Sequence, residues 1–102
     1  MYQLTVLYNQ PADPAAFDKY YDDVHTPLAT KIPGLQRLSV SRPAPGPDGA
    51  TPAYHLIAVL EFASAADFGA GMGSAEGQAA AADVANFGQA GAMMLSGEAG
   101  VI

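Results

Sequence analysis

The chain has 102 residues, half of them hydrophobic, no cysteine, and a formal net charge of −6 from four Lys and Arg against ten Asp and Glu. That length holds one domain, spanning 1–102, with a real core. The composition excludes disorder, disulfides, thiolate metal sites and cysteine nucleophiles, and the scattered cations Lys19, Lys31, Arg37 and Arg42 argue against nucleic acid and anionic membranes as partners.

From Tyr2 to Tyr8, apolar and polar residues alternate as in a strand, and Asn9-Gln10-Pro11 ends it. Asp13-Pro14 reads as a helix start, with Asp at the N-cap and Pro in the first turn. Phe17, Tyr20, Tyr21, Val24 and Leu28 then form one apolar stripe at helical spacing. Pro27 is expected to end or kink this helix near His25-Thr26. A second strand runs from Leu35 to Arg42, with Leu38 and Val40 on one face and Arg37 and Ser39 on the other. The stretch from Pro43 to Pro52 reads as a long exposed loop.

Tyr54 to Phe62 carries the strongest strand signal, apolar on both parities except at His55 and Glu61. Ser64 and Asp67 have capping-box spacing before a short, glycine-weakened helix containing Phe68 and Met72. Ser74 starts an alanine-rich helix over Ala75 to Phe87, closed by Gly88, and a last strand runs from Ala90 to Glu98. No stretch approaches the roughly 18–20 apolar residues of a membrane span. No basic region precedes an apolar run at the N-terminus, so a cytoplasmic protein is expected.

The order β-α-β, loop, β-α-β predicts an α+β, ferredoxin-like split β-α-β repeat, a four-stranded antiparallel sheet with helices on one face. The other face is then uncovered, yet its strands carry apolar residues, as between Ile57 and Leu60. Such a face is costly in water, and pairing two sheets about a twofold axis would bury both, which predicts a homodimer.

His25 lies three residues after Asp22 and four after Tyr21, so in a helix Asp22 is placed to hold the imidazole. That arrangement suits an acid/base or ligand contact; the plainer reading is a histidine capping the helix end. His55 and Glu61 share a strand face with Ile57 and Val59, where they need partners or water near the sheet ends. No metal constellation, dinucleotide loop or nucleophile elbow is present. Tyr8, Phe17, Tyr20 and Tyr21 read as core packing, or as a pocket for an aromatic ligand.

The run Phe17-x-x-Tyr20-Tyr21-x-x-Val24-His25-x-Pro27-Leu28-Ala29-x-Lys31-Ile32-Pro33-Gly34-Leu35 resembles the signature of the EthD family, named for ethyl tert-butyl ether degradation. Phe62-x-Ser64-x-x-Asp67, Ser74-x-Glu76-Gly77 and Asp83-x-x-Asn86-Phe87 extend the resemblance over nearly the whole chain. It implies the dimeric α/β-barrel superfamily, in which two ferredoxin-like protomers join their sheets. Its members accompany degradative or polyketide-tailoring pathways, with an oxidoreductase-like label and no settled common reaction. Superfamily relatives include cofactor-free monooxygenases, muconolactone isomerases and haem-binding enzymes.

The function expected from residues and resemblance together is a monooxygenase-like or isomerase-like enzyme for an aromatic or polyketide-like metabolite. His25 would be its acid/base, oriented by Asp22, with Tyr8, Tyr21, Lys31 and His55 contacting substrate and no cofactor required. A non-catalytic ligand-binding or accessory protein is the alternative. A haem-binding module is a further one, disfavoured because the later helices contain no histidine.

Overall fold

The computed structural model describes Met1 to Ile102. Strands β1 (Tyr2–Asn9), β2 (Leu35–Ser41), β3 (Tyr54–Phe62) and β4 (Ala92–Glu98) form one antiparallel sheet in the order β2-β3-β1-β4. This is the split β-α-β arrangement expected from the element order, with the two strands richest in apolar residues at the centre. Helices α1 (Pro14–Tyr20), α2 (Thr26–Ala29), α3 (Ala65–Gly73) and α4 (Ala75–Phe87) cover one face. The smallest dimension, 18 Å, accommodates one sheet and one helical layer.

The caps read from sequence form as hydrogen bonds. Asp13 accepts from the Ala16 N–H, Ser64 from Asp67 and Ser74 from Gly77. The glycines of α3 weaken it as a helix but allow close approach. A methyl group on Gly71 would strike the Pro33 carbonyl, and one on Gly77 the Gly71 carbonyl and the Met72 backbone. The helical layer packs backbone to backbone at these two positions.

Leu4, Val6 and Tyr8 of β1 and Leu56, Ala58, Leu60 and Phe62 of β3 form the buried face. Phe17, Tyr21, Ala29, Ile32, Ala80 and Phe87 cover it from the helices. Six aromatic rings, Tyr8, Phe17, Tyr20, Tyr21, His25 and Phe87, stack or meet edge to face at one end of this layer. On the opposite face Leu7, Ile57 and Val59 are half-buried, while Met93 and Leu95 are exposed. Within the chain, then, β3 is covered on one face only.

Two expectations are corrected. Pro27 does not end the helix. A π-helical turn at Tyr21–His25 widens the backbone, and the chain continues helically with Pro27 in the first turn of α2, where it needs no N–H. His55 does not share a face with Ile57 and Val59. Tyr8 pairs with Leu56 but Asn9 with Tyr54, so His55 is the extra residue of a bulge and turns toward α1.

Candidate functional site

A regular α-helix through residue 25 would place Val24 on the inward stripe begun by Phe17, Tyr20 and Tyr21. Instead the Thr26 N–H bonds to the Tyr21 carbonyl five residues back, which inserts one residue into the turn. The stripe slips by that residue, leaving Val24 39 % exposed and His25 6 % exposed. The π turn is what aims the imidazole into the protein.

There His25 Nδ1 lies 3.0 Å from Asp83 Oδ2, on the inward face of α4, with both groups buried. The Tyr20 hydroxyl donates to Asp83 Oδ1 at 2.6 Å, and Asn86 Nδ2 donates to the same oxygen at 3.0 Å. A carboxylate only accepts, so the neutral imidazole carries its proton on Nδ1 and keeps the Nε2 lone pair free. Nε2 makes no hydrogen bond within the protein and is not sealed from its surroundings.

Burial lowers the His25 pKa and outweighs the hydrogen bond and negative charge of Asp83, which act the other way. Asp83 shares its charge among three donors, which blunts its pull on the imidazolium. Burial alone would raise Asp83, but the bonds from Tyr20, Asn86 and His25 prevail and hold it below the usual carboxylate range. The pair at neutral pH is therefore a neutral base beside an ionised carboxylate.

His25 opens on a cavity of about 50 Å³ between the helices and the sheet. Fourteen of its fifteen lining residues are hydrophobic, which leaves His25 as the one polar wall. Tyr8 and Tyr21 line it too, and neither hydroxyl has a protein partner. Burial raises both phenols, Tyr21 to about 12, so both stay protonated and remain donors. A wider, half-open groove of about 520 Å³ lies between the β1–α1 and α4–β4 connections. Its ionisable side chains, Asp13 and Tyr20, are committed to the α1 cap and to Asp83, so the smaller cavity holds the free chemistry.

Of the residues singled out in the sequence, His25, Tyr8 and Tyr21 come together at this cavity. Asp22 does not hold His25. It is exposed and lies 3.5 Å from Arg42, because the inserted residue rotates it away. Lys31 is exposed and lies outside the lining. His55 bonds through Nε2 to Asp18 at 2.8 Å, in a cluster where Arg42 also meets Asp18. Asp83, Tyr20 and Asn86 were not singled out as chemistry. One signal was readable: Ala80, Asp83, Val84 and Phe87 share an inward stripe of α4, and an acid on that stripe needs partners.

A haem group does not fit. The cavity is far smaller than a porphyrin, and both histidines are tied to carboxylates. No three His, Cys, Asp or Glu side chains cluster to hold a metal ion. No helix is long and apolar enough to cross a membrane.

Comparison with known proteins gives a consistent picture. Residues 9–90 match the EthD domain. The chain is 46 % identical over 95 residues to an uncharacterized 11.0 kDa protein from the thcB–thcC intergenic region of Rhodococcus erythropolis, covering 93 % of this chain and 91 % of that one. It superposes with a TM-score of 0.91 on the crystal structure of an ethyl tert-butyl ether degradation (EthD) family protein from Bacillus halodurans. That match is 32 % identical and covers 97 % and 98 % of the two chains.

Two further crystal structures share the fold at lower identity. A dimeric ferredoxin-like protein of unknown function from Thermobifida fusca has a TM-score of 0.68 at 16 % identity, over 93 % of this chain and 87 % of that one. SnoaB, a cofactor-independent oxygenase from Streptomyces nogalater, has a TM-score of 0.68 at 12 % identity, over 96 % and 91 %.

Proposed function

The chain belongs to the EthD family, and from that premise we propose that it is an enzyme in which His25 removes a proton from a hydrophobic, aromatic or polyketide-like metabolite. One observation carries this reading: a buried imidazole, tied through Nδ1 to Asp83, leaves Nε2 unpartnered beside an apolar cavity. Asp83, itself fixed by Tyr20 and Asn86, is a positioning residue that sets the tautomer and supports the imidazolium formed on proton transfer. Low polarity around Nε2 strengthens its attraction for a substrate proton, since no water competes for the lone pair.

Proton removal from an activated ring carbon leaves a delocalised carbanion. Dioxygen as co-reactant would take this carbanion to an oxygenated product, and return of the proton at another carbon would isomerise it. The oxygenase outcome is favoured by the likeness in fold to SnoaB. The working unit is a homodimer joined through Leu7, Ile57, Val59, Met93 and Leu95 of the open face. The apolar character of that face and the dimeric relative from Thermobifida fusca support it.

The test is oxygen uptake by the purified protein with ring-hydroxylated aromatic substrates and no added cofactor. His25→Ala is expected to lower the rate about 10²–10⁴-fold. Unchanged turnover in that variant rules out the proposed base.

A further inference from the structure

We infer that the cavity beside His25 accepts an uncharged ring compound bearing a hydroxyl or enolisable carbonyl oxygen, and rejects the same ring carrying a carboxylate. The inference deepens the reading of His25 as the base and rests on it. It starts from where the four cations are. Lys19 is exposed and pairs with Asp23 at 3.0 Å, and Arg37 is exposed with Glu61 at 3.6 Å. Lys31 is exposed and outside the lining. Arg42 is near enough to act on Tyr21, but Asp18 and Asp22 neutralise it.

No cation is thus available to a ligand in the cavity, whereas the ionised Asp83 stands directly behind His25. A carboxylate entering there would lose its water, gain no countercharge and meet a negative field. A neutral hydroxyl or carbonyl oxygen meets the opposite situation. Tyr8 and Tyr21 offer two phenolic donors without protein partners, and buried donors of that kind are satisfied by what binds beside them. The space, about 50 Å³ with apolar walls, suits a single ring and its substituent rather than a fused system held wholly inside.

The test uses three probes that differ in one group: p-cresol, 4-methylbenzoate and toluene. Each is titrated into the full chain at pH 7.5, with binding read from amide shifts around Ala29, Ile32 and Ala80. The expected result is p-cresol binding about tenfold or more tighter than either of the others. Tyr8→Phe and Tyr21→Phe, singly or together, should bring p-cresol toward toluene while toluene binding stays as it was, which also reports an intact fold. Equal or tighter binding of 4-methylbenzoate overturns the inference, as does absence of saturable p-cresol shifts at these residues. Binding is read without turnover. A His25→Ala protein that is inert but keeps the selectivity, or a wild type that turns over without it, separates failure of one idea from failure of the other.

Discussion

His25 and Asp83 place opposite demands on pH, and the sign of each is fixed by its surroundings. His25 has a folded pKa below its ordinary value of about 6.5, so the unfolded chain binds the extra proton first as pH falls. Its contribution to stability is present above that value and is lost as pH drops through it toward the folded pKa. Asp83 repeats the pattern at lower pH, with stability present above its ordinary 3.8 and lost below. Urea midpoints are expected to fall between pH 7.5 and 5.5 in the wild type. The fall should be smaller in His25→Asn, and an equal fall in both would remove His25 as the cause. Asp83→Asn keeps an acceptor near Nδ1 but frees the tautomer, so turnover should drop about 10³-fold or more with the fold retained. Asp83→Ala should in addition cost about 1–3 kcal/mol, because the buried Nδ1–H loses its partner.

At the level of elements, the strands and caps were legible because they obey local rules. The two-residue period of β1 and β3 and the Asp13, Ser64 and Ser74 caps all form as read. The orientation of His25 was not legible. Helical spacing counted Val24 inward and offered Asp22 as partner, and a single inserted residue in the π turn reversed both. The bulge beside Asn9 did the same for His55. Periodicity arguments fail at insertions of this kind, and both fall beside residues singled out for the site. Deleting Asp23, exposed and paired only with Lys19, should convert the π turn to a regular helix. His25 would then leave Asp83 and turnover would collapse while circular dichroism stayed native. Retained activity would show that the turn does not aim the base. Gly77→Ala tests the close contact of α3 and α4. It should cost about 2 kcal/mol, a melting point lower by roughly 8–16 °C, as read by calorimetry.

For the whole molecule, one layer of helices on one sheet leaves the other sheet face to be covered from outside. Its apolar centre, Leu7, Ile57, Val59, Met93 and Leu95, alternates strictly with the buried side chains of the same strands. Leu95→Glu should therefore shift the protein from dimer to monomer in sedimentation equilibrium at micromolar concentration, since the charge would be desolvated in the joined faces. An unchanged mass would move the interface elsewhere. The two histidines of the chain, His25 and His55, make the site itself open to direct observation in the intact molecule. The deciding measurement is nitrogen NMR of histidine-labelled protein across pH 4 to 9, with His25→Ala assigning the two rings. The arrangement at Asp83 requires His25 to carry its neutral proton on Nδ1 and to titrate below about 6.5. A proton resting on Nε2, or a pKa above that value, would mean that His25 is not the free base described.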